Sequence, residues 1–373
     1  MRVYGGAELV IVKILNYLSK KNIQNSLLTT CISPEIREKL QKTELIIIKS
    51  EKNLLSKIVP SNKLKEAFEL HKKLKKLSRD FDVINVHNYP ANISAFGCSK
   101  PVVWMCNEPE LYLSFKSTPS SNIPKKLYYA SMLRFEKFIV RHYIKKAIVA
   151  DEFNANRFKK IYGVEPEIIN YGIDYEFFSM GNKMRALDRY SLHDSFVILH
   201  VGWIQPFKNQ LESVKVLEKL KSHIPNVKLV LAGFWDTVYK EKIEKLIKER
   251  ELEKNVIFTG HIPREDLRDL YHACDVLIHP VKPQGGWLAP FEVLCAKKPI
   301  LVSPELTTSE IIKKQGIGIV TEDYARIIVD IYKNPEKYNE MAERGFRWVK
   351  ENLSWDKFCE KMLEAFYECL GGD

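Results

Sequence analysis

The sequence predicts an α/β protein of two doubly wound domains facing an interdomain cleft, and three observations carry that prediction. The chain has 373 residues, beyond the roughly 250 to 300 at which a single core stops growing. Short apolar runs alternate with longer periodic segments, the pattern of parallel strands joined by crossover helices, and the alternation occurs twice. Between the two sets lies Asn170 to Arg189, polar and carrying Gly172, Gly181 and Asn182, the composition of a hinge. The expected division is residues 1–180 and 181–350, with a closing segment 351–373.

In the first half the strand candidates are Ser26 to Thr30, Leu45 to Lys49, Val83 to Val86, Val102 to Cys106 and Ala147 to Ala150. In the second they are Val197 to Val201, Val227 to Ala232, Val256 to Thr259, Val276 to His279 and Ile300 to Ser303. Gly5 and Gly6 open a helix from Ala7 to Leu18, whose first amides would be free to meet an anion or an acceptor oxygen. Ser61 to Asp80 reads as an amphipathic helix with Leu64, Phe68, Leu74 and Leu77 on one face and Lys65, Lys72, Lys73, Lys75, Lys76 and Arg79 mostly around it. Pro124 to Ala147 repeats the pattern with Lys125, Lys126, Arg134, Lys137, Arg141, Lys145 and Lys146, and Trp355 to Leu370 is a final amphipathic helix.

Hydrophobic residues make up 45% of the chain and aromatic ones 11%, enough for two packed cores. The formal charge of +11 points to an acidic partner, either a nucleotide, an anionic membrane surface or a nucleic acid, and charge alone does not choose among them. A nucleic-acid binder is not expected, because no motif interleaves aromatic and basic residues. No apolar run approaches the ~20 residues that span a bilayer, and residues 1–20 lack the features of a signal peptide, so a cytoplasmic protein is expected. Basic helices of this kind suit a peripheral place at the cytoplasmic face of a membrane, or equally a solvated surface. The seven cysteines show no Cys-x-x-Cys and no His at metal spacing, and read as reduced thiols. No Asp-x-Asp stands at a strand end, so neither metal nor other cofactor is expected.

The segment from Gln284 to Ser303, QGGWLAPFEVLCAKKPILVS, sets one carboxylate between a glycine-opened loop and a buried strand. Gly285 and Gly286 let backbone amides approach an anion, Pro290 to Ala296 reads as the first turns of a helix containing Glu292, and Lys297 to Pro299 stop it. This segment resembles the donor-site signature of the retaining family-four glycosyltransferases (glycosyl transferases group 1), which have the GT-B fold of two Rossmann-like domains. Glu292 and Pro299 match the second Glu and the Pro of that signature, and Gln284 stands where the family has its first Glu. Tyr4-Gly5-Gly6-Ala7-Glu8 is similar to the family's first loop, and Asn170-Tyr171-Gly172-Ile173-Asp174 to its linker. His200-Val201-Gly202-Trp203 with Pro206 and Lys208 resembles the strand and loop where the family has Gly-Arg and then Lys. Leu231-Ala232-Gly233, Phe258-Thr259-Gly260 and Asp275 to Pro280 resemble the next strand ends, in the right order.

The resemblance implies a hexosyltransferase that moves a hexose from a nucleoside diphosphate sugar to a glycan or lipid-linked acceptor with retention, as in polysaccharide biosynthesis. It assigns Lys208 to the departing diphosphate, Glu292 to the ribose hydroxyls, and Gly5, Gly6, Gly202, Trp203, Gly285, Gly286 and Leu288 to the donor. A carboxylate at a helix start also suits the dipole. Gln284 hydrogen-bonds a sugar hydroxyl without carrying charge, and Trp203, in place of the family's Arg, either stacks on a ligand or packs into the core. Asn107 and Glu108 stand where the family often has His-Asp, so Glu108 is either a general base or part of a polar turn before Pro109. In the resembled fold the final helix crosses back to the first domain. The alternatives are a GT-B protein that binds a sugar nucleotide with altered catalysis, and a sugar-nucleotide epimerase.

One feature conflicts with a complete first domain. Gly5-Gly6 follows only Met1-Arg2-Val3-Tyr4, whereas the first strand of a doubly wound sheet is central and precedes this loop. The expectation is therefore a start codon assigned too late, with the central strand omitted.

Overall fold

The computed structural model describes residues 1, 5–48, 62–282 and 287–371, and these form two compact units. One unit comprises Met1–Tyr171 and Trp355–Asp373, the other Gly172–Ser354.

In the first unit, β1 (Ser26–Thr29) pairs in parallel with β2 (Glu44–Ile47), and β3 (Ile84–His87), β4 (Val102–Met105), β5 (Lys146–Val149) and β6 (Glu167–Ile168) form a second parallel sheet in that order. Among the described residues no strand joins the two sheets. Met1 exchanges two backbone hydrogen bonds with the chain just beyond β1, its amine donating to the Cys31 carbonyl at 3.1 Å and its carbonyl accepting from Ser33 at 3.0 Å. Every residue of β4 is buried, as its unbroken apolar run requires of a central parallel strand. Trp104 of β4 meets Phe158 and Tyr162 at centroid distances of 5.4 and 5.5 Å. The final helix, Trp355–Leu370, belongs to this unit, with the Lys13 ammonium 5.5 Å over the Trp355 ring and Phe358 6.0 Å from Tyr171.

In the second unit six parallel strands run in the order β12 (Ile319–Val320), β11 (Ile300–Val302), β10 (Val276–His279), β7 (Phe196–Val201), β8 (Val227–Ala232), β9 (Val256–Gly260). The chain winds outward from β7 in both directions, so the topological switch point lies between β7 and β10, and ligands of such sheets bind outside the carboxyl ends of those strands. Ile198, Leu229, Leu231, Val276, Ile278 and Leu301 fill the core beneath the helices Gln210–Leu220 and Tyr324–Lys333.

Each of the ten strands expected from apolar runs is present within a residue or two, and β6 and β12, two residues each, are too short to leave such a run. Two expectations are corrected. The unit boundary, at Tyr171/Gly172, falls within the expected segment Asn170 to Arg189 but at its start rather than near residue 180, and the rest of the segment is ordered as the helices Tyr175–Ser179 and Lys183–Tyr190. Its polar residues are consumed by caps and ion pairs, Asn182 capping the second helix while Arg185 binds Asp269 at 2.8 Å and Asp266 at 2.5 Å. Likewise Phe68 does not share a buried face with Leu74. At 3.6 residues per turn the two lie about 120° apart, and the buried stripe of Asn62–Leu77 is Ala67, Leu70 and Leu74, with Phe68 exposed.

The first unit also buries a carboxyl group. Glu136, in the helix Ile123–His142, accepts from Tyr162 Oη at 2.7 Å and Asn92 Nδ2 at 2.6 Å. Burial outweighs both bonds and pushes it from 4.5 up to about 7. The folded chain therefore holds this proton more tightly than the unfolded chain. Its contribution to stability is full below pH 4.5 and is lost as pH rises through 7. Relative to Glu136→Gln, the wild type should lose on the order of 3 kcal/mol of unfolding free energy across that window. Urea titrations at several pH values measure this, and a pH-independent difference would contradict it.

Candidate functional site

The turn after β7 is built on two glycines. Gly202 and Gly233 have φ of +148° and +149°, a region that side chains rarely adopt. A Cβ on Gly233 would stand 2.2 Å from the Gly202 carbonyl oxygen, and one on Gly202 would meet the Lys208 stem at 3.5 Å. The turn after β7 thus lies directly against the turn after β8, and the lysine stem lies across the bare backbone of Gly202. The backbone continues the contact, with Ile204 donating to Phe234 and Asp236 donating back to Ile204 at 2.6 and 2.9 Å.

A second set of bonds crosses the switch point. Asn209, itself left-handed at φ +61°, donates through Nδ2 to the Pro280 carbonyl at 2.9 Å, and Lys282 donates to the Phe207 carbonyl at 2.9 Å. The loops after β7 and β10 are therefore fixed to each other, and Lys208 sits between the two attachments. Beneath them His200 is fully enclosed, with Nδ1 2.8 Å from Ser213 Oγ and its ring 5.8 Å from His279. Burial, with the Lys208 charge, brings His200 down to about 3, so the ring is neutral at ordinary pH, and its full enclosure makes it a structural group beneath the loops.

Glu292 lies in the helix Leu288–Cys295 and is 9% exposed. Because the helix begins at Leu288 rather than Pro290, Glu292 falls in its second turn, where the dipole adds little. Its Oε2 accepts the Tyr271 phenol at 2.7 Å, and among the described residues Oε1 accepts nothing. Burial raises its pKa, opposed by the Arg264 charge and by the Tyr271 bond, with Asp174 adding to the rise. Arg264 is shared, since it also pairs with Asp174 at 2.7 Å. The helix is anchored behind by Trp287, which packs on Phe291 at 4.8 Å, and Phe291 in turn lies 5.8 Å from Trp348.

Trp203 is 54% exposed, which excludes the core reading. Its ring stands 6.5 Å from Phe234 at 57°, and Phe234 stacks on His261 at 4.2 Å. The carboxyl ends of β7, β8 and β9 thus carry a row of exposed rings beside Gly202.

Lys208, Gly202, Trp203, Leu288 and Glu292 all belong to the second unit, and Gly5, Gly6, Asn107 and Glu108 to the first. Gln284, Gly285 and Gly286 lie outside the described residues. Gly5 caps the helix Gly6–Lys20 in an extended conformation, and its amide donates to Glu8 Oε2 at 3.3 Å. That amide is thus already used, and a carboxylate lies at the helix start. Asn107 is held on both sides, its amide donating to Asn88 Oδ1 at 3.1 Å and its Oδ1 accepting the buried Tyr171 phenol. Tyr271, Asn209 and His200 were missed in the sequence. A histidine at or next to the end of an otherwise apolar strand, as in His279 and His200, was the available signal for the last of these.

The profile of glycosyltransferase family 4 matches residues 4–177, and that of glycosyl transferases group 1 matches residues 188–348. The chain belongs to the family-four glycosyltransferases. It is similar to a putative glycosyltransferase of Bacillus subtilis, with 22% identity over 77% of this chain and 69% of that one. An uncharacterized glycosyltransferase of Methanocaldococcus jannaschii is 26% identical over 80% and 79% of the two chains. A mouse alpha-1,3/1,6-mannosyltransferase is 20% identical over 76% and 73%. Among solved structures, Anabaena HepE in complex with UDP and glucose aligns with a TM-score of 0.80 at 16% identity, covering 98% and 97% of the chains. WaaG, a glycosyltransferase involved in lipopolysaccharide biosynthesis, aligns at 0.76 and 17% identity over 100% and 97%. The fold is GT-B, and the protein is a glycosyltransferase.

The contact between the two glycine turns is the tightest constraint on this family-four site. Gly233→Ala should cost about 1–3 kcal/mol or more, since neither backbone segment can yield without breaking its ladder. Denaturant unfolding measures it, and a neutral alanine would show that the two turns are not locked.

Proposed function

We propose that the protein transfers a hexose from a nucleoside diphosphate sugar to a glycan or lipid-linked acceptor, with retention of configuration and without a metal. The observation that carries the reading is Glu292, a buried carboxylate with one oxygen committed to Tyr271 and the other open to a ligand hydroxyl. Lys208, fixed beside the switch point, stabilises the negative charge that develops on the departing diphosphate. No protein nucleophile is required in this reading: the donor phosphate itself takes the acceptor proton. Asn107 orients the sugar or acceptor by hydrogen bonding, and Glu108 beside it belongs to the polar turn before Pro109. HepE, solved with UDP and with UDP-glucose, makes a uridine nucleotide the first donor to test.

Protonated Glu292 is a poorer acceptor, and burial has moved its pKa upward. Nucleotide binding should therefore weaken as pH falls, and do so sooner than an ordinary carboxylate would dictate. A second reading is favoured by Trp203, an exposed indole where the resembled family carries a cation. In that reading the protein binds a sugar nucleotide but transfers nothing, or epimerises it without an acceptor.

Calorimetric titration of UDP, GDP and ADP separates these. One nucleotide should bind saturably, and Glu292→Ala and Lys208→Ala should each weaken it about tenfold or more. Lys208→Ala should also slow transfer by about 10² to 10³. Binding without turnover would select the second reading, and no binding by any of the three would overturn both.

A further inference from the structure

Two helices of the first unit turn apolar rings and cations outward together. Phe68, His71, Lys72, Lys75 and Lys76 of Asn62–Leu77, with Arg79 of the turn Ser78–Asp80 that follows it, line a groove of about 640 Å³. Phe68 is 49% exposed at its centre, and none of Lys72, Lys75, Lys76 and Arg79 is ion-paired among the described residues. The opposite stripe of this helix, Ala67, Leu70 and Leu74, is buried, so the exposed face has a fixed support. On Ile123–His142, a second outward stripe holds Ile123, Leu127, Arg134, Phe138 and Arg141, all exposed.

Aromatic contacts join the two stripes into one surface. His71 lies 6.1 Å from Phe96, Phe96 5.4 Å from Tyr143, and Tyr143 6.1 Å from Phe138. Phe96 and Phe138 are themselves exposed. The helix Asn62–Leu77 carries six lysines against two glutamates, and the only carboxylate of Ile123–His142 is the buried Glu136.

We propose that this surface docks the protein on an anionic membrane. Only a partner with negative headgroups above an apolar layer satisfies both halves of the pattern, the rings entering the boundary and the cations meeting the headgroups. A second copy of the chain does not fit, because a symmetric contact would set this cationic face against itself. A nucleic acid would leave Ile123 and Leu127 against charged backbone. The inference stands on the first unit alone and goes beyond the donor-site reading.

The test is sedimentation of the full chain with phosphatidylcholine vesicles, with and without phosphatidylglycerol. The protein should pellet only when phosphatidylglycerol is present and should be released by salt. Combined Lys72→Glu, Lys75→Glu and Lys76→Glu should lower partition about a hundredfold. Combined Phe68→Ser and Phe138→Ser should lower it about tenfold. Both variants should keep the wild-type affinity for nucleotide, which also checks that they fold. If the charge variant fails to fold, the phenylalanine pair and the salt dependence decide. Equal pelleting on neutral vesicles, no pelleting on either, or competition by free glycerol phosphate would each overturn the proposal, the last assigning the groove to a small anion.

Discussion

The candidate site of the second unit depends on a backbone contact that admits no side chain. Where the turns after β7 and β8 meet, the Gly202 carbonyl occupies the space that a Cβ of Gly233 would need, and both residues adopt a φ that favours glycine. That contact sets the path of the β7 turn, and the Asn209 and Lys282 bonds then attach the turn to the end of β10. Lys208 is placed by this frame, and in the proposed reaction its charge is preorganised beside the departing diphosphate. The position is between the two strands at which the sheet reverses its winding.

A buried carboxylate is costly unless its oxygens are satisfied, and Glu292 is only half satisfied by the protein. Tyr271 takes one oxygen, Arg264 offsets part of the charge while pairing with Asp174, and among the described residues the second oxygen has no donor. Ribose hydroxyls would complete it. The first unit treats Glu136 differently: both oxygens have neutral donors, no cation among the described residues compensates its burial, and the proton is held to about neutral pH. The two glutamates show how similar burial yields an open acceptor in one place and a satisfied structural group in another.

Much of this was legible from residue order. Parallel strands buried on both faces must be unbroken apolar runs, so ten of the twelve strands among the described residues announced themselves, while the two-residue β6 and β12 are too short to do so. Glu292, Lys208 and the Gly202 turn came from motif spacing. The segment Asn170 to Arg189 does contain the unit boundary, but its extent was overread because polarity alone does not separate a linker from short helices whose polar residues cap and pair, as Asn182 and Arg185 do. Phe68 was misplaced because neighbouring leucines at helical spacing are ambiguous over a third of a turn. Tyr271 could not be read at all, since its role arises only when the helix Arg264–Ala273 meets the helix Leu288–Cys295.

Trp203 marks where this chain departs from the family it belongs to. An exposed indole beside Phe234 gives stacking and no charge, so Lys208 would carry more of the phosphate interaction alone. The central claim is that Glu292 Oε1 and Lys208 hold the two ends of one nucleotide. A crystal structure with bound UDP tests it most directly. The account predicts the ribose hydroxyls within hydrogen-bonding distance of Glu292 Oε1 and the diphosphate beside Lys208 and Gly202. A ribose bound away from Glu292, with the Tyr271 bond its only contact, would contradict it.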